Sequence, residues 1–209
     1  AYVMIGVTGP NEYENNINNN WYTNYIAKWC IEYTLKEISK VKKFNTKRWE
    51  IIIRKIDWDD KELDLWNNVA EKIYLPKHPK KDIYLQQDGF LDKEFHTASM
   101  LKDEERPINQ NWSWDRILRS PFIKQADVLQ GFYLFEDHFN KKTLEQHYDF
   151  YEPLTVHESS LSPCIHSILA SRLGRTEEAY SFYLRTSRLD LDDYNREVEE
   201  GLHITSMAG

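Results

Sequence analysis

The sequence predicts an all-α protein built from stacked helix hairpins, on three observations. Apolar side chains recur at helical spacing along most of the chain. Short and long connections alternate between the periodic stretches, which gives roughly six helices arranged as hairpins. Start and stop signals separate them, among them Pro76, Pro153 and Gly174. A toroid of helix pairs and an open solenoid both satisfy this pattern.

The first helix is expected over about 20–41, where Tyr22, Ile26, Trp29 and Tyr33 form one stripe and Tyr25, Ile31 and Leu35 cover other faces. A helix apolar on several sides is predicted to pack on several sides. Residues 50–56 read equally as strand or helix. A second helix, over about 60–74, carries Leu63, Trp66, Ala70 and Ile73 on one face, opens on acidic residues and stops at Pro76. From Leu75 to about Trp112 the periodicity lapses into a long connection containing Pro76, Pro79, Gly89 and Pro107, and connections of that length are commonly functional. Phe122, Ala126, Leu129 and Tyr133 make the next stripe, and Leu144, Tyr148 and Tyr151 another. The following helix has Ser162 as its expected N-cap, Pro163 in the first turn and Gly174 as its stop. The last spans about 176–188, with Ala179, Tyr183 and Leu184 expected inward. Leu173-Gly-Arg-Thr-Glu-Glu-Ala-Tyr-Ser-Phe-Tyr183 looks like one tetratricopeptide repeat, but no second copy stands about 34 residues away, which weighs against the solenoid.

With 209 residues and 41% hydrophobic content the chain can bury a sizeable core. A net charge of −7 argues against nucleic acid or an anionic membrane as the main partner, because phosphate backbones require basic surface. Cys30 and Cys164 lie far apart without metal-ligand spacing, which fits free buried thiols in a reducing compartment and makes the cytoplasm the expected location. The seven histidines are scattered, so no metal site is expected. Neither a Walker nor a dinucleotide-binding glycine pattern occurs, and no cofactor is expected. The chain opens on Ala1-Tyr-Val-Met-Ile-Gly and ends on Leu202-His-Ile-Thr-Ser-Met-Ala-Gly209, and reads as an excised piece of a larger enzyme.

Candidate chemistry concentrates at four junctions between loops and helices. In Gly6-Val-Thr-Gly-Pro-Asn-Glu-Tyr13, Gly9-Pro10 forces a tight turn that is expected to present Asn11 and Glu12 at a surface or cleft. Asn15, Asn16, Asn18, Asn19, Asn20, Trp21 and Tyr22 follow, an amide-and-ring surface suited to sugar hydroxyls and sugar faces. Glu12 is the lead catalytic candidate, although an isolated acid there would also serve as a helix cap. Lys124 and Gln125 are two long polar side chains near a helix start. His157, Glu158, Ser159 and Ser160 precede a helix N-terminus, where free N–H groups and the helix dipole favour an anion such as phosphate. His203, Thr205 and Ser206 repeat that theme near the end of the chain.

These four clusters, in this order, closely resemble the inverting disaccharide phosphorylases of glycoside hydrolase family 65, typified by maltose phosphorylase and also holding trehalose and kojibiose phosphorylases and some trehalases. The matching segments are Gly9-Pro-Asn-Glu-Tyr13 with Asn19-Asn-Trp-Tyr-Thr-Asn-Tyr25, Lys124-Gln-Ala-Asp127, His157-Glu-Ser-Ser-Leu-Ser-Pro163 and Gly201-Leu-His-Ile-Thr-Ser206. Tyr84-Leu-Gln-Gln-Asp-Gly-Phe-Leu-Asp92 looks closer to the maltose and trehalose branch than to the kojibiose branch.

The resemblance implies an (α/α)6 barrel, of which residues 1–209 form the C-terminal portion, with an N-terminal β-sandwich, a helical linker and the first barrel helices outside this segment. It implies that Glu12 is the general acid, that Lys124, Gln125 and Glu158 bind the sugar, and that Ser159, Ser160 and His203 hold phosphate. Inorganic phosphate is then a co-substrate that replaces the activated water of an inverting hydrolase, so one carboxylate is enough. It further implies a homodimer of the full-length protein. A segment of this extent on its own is expected to be inactive and to expose apolar helix faces that associate or aggregate. Two alternatives are a hydrolase of the same family, which would have no use for the phosphate residues, and a non-catalytic helical-repeat scaffold.

Overall fold

The computed structural model describes residues 1–194, 196 and 198–207. Among them the chain forms ten α-helices in order: α1 (Trp21–Phe44), α2 (Thr46–Lys55), α3 (Lys61–Lys72), α4 (Ile108–Asn111), α5 (Trp114–Arg119), α6 (Val128–Leu134), α7 (Lys141–Tyr151), α8 (Ser162–Leu173), α9 (Thr176–Ser187) and α10 (Ile204–Met207). Extended pairing among the described residues is limited to four isolated bridges, Tyr2–Ile73, Val7–Ile17, Lys77–Tyr84 and Ile123–Thr155. The all-α expectation holds. No described helix is long and apolar enough to cross a membrane.

Local chemistry sets the helix limits. Asn20 caps α1, its side-chain oxygen accepting from the Thr23 amide at 2.9 Å, and Lys42 and Lys43 sit in the last turn where the dipole favours cations. Asn45 does the same for Arg48 at 3.1 Å, and this cap turns the ambiguous stretch near residue 50 into helix α2. Gly174 ends α8 in the left-handed region at φ +84°, as its sequence position predicts, and α8 and α9 close into a tight hairpin. That hairpin is the segment that looked like a tetratricopeptide repeat.

Four expectations change. The first is that α1 packs on several sides, whereas only Trp21 and Asn24 are buried in it. It meets α3, α2 and α6, and Trp29 and Tyr33 stack on each other, ring centroids 5.1 Å apart, with Tyr33 left exposed. Second, Phe122 and Ala126 are buried, but outside any helix. Ile123 takes its backbone hydrogen bonds from the neighbouring segment, donating to Leu154 and accepting from Val156, so α6 begins only after Asp127. Third, Ser162 is the first residue of α8 rather than its cap, and its hydroxyl meets His157 Nδ1 at 2.8 Å. Fourth, Tyr183 is exposed, and Phe182 turns inward instead, against the rings of His157 and His166.

Two apolar clusters result. The larger gathers Trp21 from α1, Val128, Leu129 and Phe132 from α6, Leu144 and Tyr148 from α7, and Ile165 and Leu169 from α8. Gly131 lets α6 approach α1, since a Cβ there would stand 2.5 Å from the Trp21 ring. The smaller holds Tyr13, Ala98, Ile108, Ile117, Phe122 and Val156, directly beneath the Glu12 turn. The long connection before α4 enters the interior at residues 83–87 and at Phe90. Ile83, Leu85, Gln86, Gln87 and Phe90 are buried, the Gln86 carbonyl accepts from the Trp21 amide at 2.8 Å, and the Tyr84 amide donates to His147 Nε2 at 2.7 Å. Burial pushes His147 down to about 4, which keeps that nitrogen an acceptor.

Candidate active site

The turn that carries Glu12 is built by its neighbours. Asn11 is buried, and its side-chain oxygen accepts from the Tyr13 amide at 3.2 Å and from the Lys124 amide at 3.0 Å. Its own amide donates to Asp127 Oδ2 at 3.1 Å, and the Asn20 side chain donates to both Asp127 oxygens at 3.0 and 3.2 Å. One buried aspartate therefore ties the Glu12 turn to the start of α1. Gly9 is required by this contact, because a Cβ there would lie 2.4 Å from both Asn20 Nδ2 and Asp127 Oδ2. Burial raises Asp127 to about 7, against the hydrogen bonds from Asn11 and Asn20 that act the other way.

Glu12 points out of this frame and is exposed, with Lys124 Nζ 2.6 Å from its Oε2. The bridge between Ile123 and Thr155 sets the Lys124 loop beside residues 154–158 and so brings Lys124 and Glu158 to one cleft. Glu158 is 7% exposed, and its Oε2 accepts from the Tyr13 hydroxyl at 2.7 Å and from the Ile108 amide at 2.9 Å. Burial raises its carboxyl above the usual range despite those donors and the nearby Arg106 and Arg185.

His157, the residue before it, is turned into the protein in a left-handed conformation at φ +54°, and Arg185 donates to its carbonyl at 2.6 Å. Its ring is buried, and burial holds it well below its ordinary value, so it acts as a neutral support for the turn. Ser159 Oγ accepts from the Leu161 amide at 3.2 Å at the entry to α8. His203 donates its backbone amide to one Asp190 oxygen, and its Nδ1 pairs with the other at 2.8 Å, an arrangement that fixes the imidazole.

A cleft of about 490 Å³ collects these groups: Glu12, Lys124, Glu158, Ser159, Ser160, Leu161 and residues 200–203, ending with His203. Six of the seven residues singled out from sequence therefore meet in one place, from four separate stretches of chain. Gln125 does not line it. Gln125 is buried at 6% exposure, and its side-chain oxygen has no hydrogen-bond partner among the described residues. Thr205 and Ser206 lie in α10 and are not among the cleft residues, while Ala208 and Gly209 of that motif fall outside the described residues. Among the described residues no group of three His, Cys, Asp or Glu side chains is arranged to hold a metal ion. Asn11, expected at the surface beside Glu12, is buried instead because its side chain and amide bind Tyr13, Lys124 and Asp127, and sequence reasoning missed Tyr13 and Asp127 as parts of the site.

The whole of residues 1–209 matches the model of the glycosyl hydrolase family 65 central catalytic domain. The chain belongs to glycosyl hydrolase family 65. Relatives in this family include disaccharide phosphorylases. Maltose phosphorylase of Bacillus subtilis (strain 168) is 53% identical over 208 residues, covering 100% of this chain and 27% of that protein. The α,α-trehalose phosphorylase of Thermoanaerobacter brockii is 42% identical, covering 97% and 26% respectively. A solved structure designated "Putative kojibiose phosphorylase from human microbiome" is 40% identical and superposes with a TM-score of 0.86, covering 99% of this chain and 28% of that one. The helical fold agrees with part of the (α/α)6 barrel implied by the family resemblance. The chain spans about 27% of the length of its maltose phosphorylase relative.

Proposed function

We propose that the full-length protein is an inverting disaccharide phosphorylase acting on maltose, and that this segment supplies its acid and its phosphate site. The supporting observation is the single cleft that holds Glu12, Lys124, Glu158, Ser159, Ser160 and His203 together. Glu12 protonates the glycosidic oxygen as the C1–O bond breaks, and phosphate attacks C1 from the opposite face. An α-glucoside thereby gives β-glucose 1-phosphate and a free sugar. Phosphate arrives as an anion, so no second carboxylate is needed to activate it. The Lys124 ammonium pairs with Glu12, and in this reading it also serves sugar hydroxyls of the bound substrate. Ser159, Ser160 and His203 bind the phosphate at the start of α8. Gln125 reaches the sugar only if its side chain leaves its buried position.

Maltose is favoured because the maltose phosphorylase relative is 53% identical against 42% for the trehalose phosphorylase and 37% for a kojibiose phosphorylase of Halothermothrix orenii. No cofactor takes part in this reading, the remaining barrel helices and a β-sandwich belong to other parts of the protein, and the protein works in the cytoplasm as a homodimer. Cys30 is exposed and Cys164 half-buried, rather than both buried as expected, and two free thiols suit a reducing compartment.

The test is the phosphate dependence of Ser159→Ala and Ser160→Ala in the full-length protein. Each removes one hydrogen bond to an anion, so KM for phosphate rises by about tenfold while KM for the disaccharide stays close to wild type. A phosphate KM unmoved by either substitution contradicts the assignment of the cradle.

A further inference from the structure

The two oxygens of Glu158 have different surroundings. Oε2 receives two donors, the Tyr13 hydroxyl at 2.7 Å and the Ile108 amide at 2.9 Å. Oε1 is buried and has no hydrogen-bond partner among the described residues. Arg106 does not fill that role. Its Nη1 stands 3.8 Å from Oε1, and its guanidinium donates instead to the carbonyls of Val156 at 3.3 Å and Ala98 at 2.6 Å. A buried carboxylate oxygen without a donor is costly, and Glu158 lines both the Glu12 cleft and a second cavity beside Arg106 and Arg185, where a bound ligand can supply one.

We propose that Tyr13 is a positioning residue that acts through Glu158: by occupying Oε2 it fixes the carboxylate so that Oε1 accepts from one hydroxyl of the bound glucosyl unit. This deepens the phosphorylase reading and rests on it. Tyr13 is 1% exposed and anchored among Ile108, Ile117, Phe122 and Val156, so its hydroxyl has no freedom to follow a moving partner. Burial and the neighbouring carboxylate push its phenol far above the usual range, which keeps it a donor. Tyr13 also follows Glu12 directly, so one short turn carries the acid and the group that sets the sugar-binding carboxylate. Glu158 accepts and Tyr13 donates, hence the ligand atom at Oε1 must be an O–H donor, and a deoxy sugar at that one carbon leaves the oxygen unpaired.

The experiment uses the full-length protein and glucose with its monodeoxy analogues as calorimetric probes. In wild type one monodeoxyglucose binds about tenfold more weakly than the others, and Tyr13→Phe erases that single difference while the remaining analogues keep their order. Tyr13→Phe raises KM for the disaccharide and leaves KM for phosphate unchanged. Added to Glu158→Gln, it has little further effect, because both act on one contact. Losses that multiply in the double variant overturn the proposal, as does a variant that keeps the wild-type discrimination. Thermal melting of each variant separates these results from a loss of folding. Should the wild type release no glucose 1-phosphate, the phosphorylase reading falls, and the sugar-binding arm still decides the role of Tyr13.

Discussion

Glu12→Gln is expected to lower phosphorolysis of the natural disaccharide by about 10²- to 10⁴-fold, the range lost when a general acid is removed. Glu12 is exposed and its side chain pairs with Lys124, so the melting temperature should stay near that of wild type. The acid matters only while a leaving oxygen needs a proton. With α-glucosyl fluoride, whose leaving group departs as an anion, the variant should therefore regain most of its phosphate-dependent rate. Equal losses on maltose and on the fluoride would assign Glu12 to binding rather than to proton transfer.

The second large effect is expected at a residue outside the cleft. Asp127→Ala leaves the Asn11 backbone amide as a buried donor without an acceptor, at about 1–3 kcal/mol, and leaves the Asn20 side-chain amide with the Gln86 carbonyl as its acceptor at 3.2 Å. We expect a clear fall in melting temperature, and a fall in turnover at temperatures where the protein remains folded, because the Asn11 amide holds the turn that aims Glu12. Asp127→Asn separates charge from shape. The native carboxyl is raised from 3.8 to about 7 by burial, so its protonation favours the fold: that contribution is fully present below about 3.8 and is lost as pH rises through about 7. Wild type should accordingly lose stability between about pH 4 and 7 through this group. Asp127→Asn, which cannot titrate, should show a flatter stability profile over that window in denaturant titrations. A wild-type slope retained by the variant would assign the effect to other groups.

The contrast between Glu12 and Asp127 shows what a sequence discloses. Glu12, Lys124, Ser159 and Ser160 stood out because they lie in short local patterns, a turn, a loop beside a helix and a helix entry, whereas His203 stood out through the family resemblance alone. Asp127 was not, since its partner Asn11 stands 116 residues away, and the bond from Tyr13 to Glu158 crosses 145 residues. Neither separation leaves a trace in local spacing. Helix type was legible where caps agreed with periodicity, as at Gly174. It failed at Phe122 and Ala126, which keep a helical apolar spacing but take their backbone partners from residues 154–156. Outward and inward faces were misread at Tyr183 because Phe182, one position away, fits the space against His157 and His166. Gln125 shows the reverse case, a polar residue in a matching motif that packs behind the cleft wall.

The most direct measurement is to follow the full-length protein with maltose and inorganic phosphate by ¹H and ³¹P NMR and identify the first product. The account predicts β-glucose 1-phosphate with an equal amount of glucose, formed only when phosphate is present. Free glucose released at the same rate without phosphate, or an α-configured phosphate ester, would contradict it.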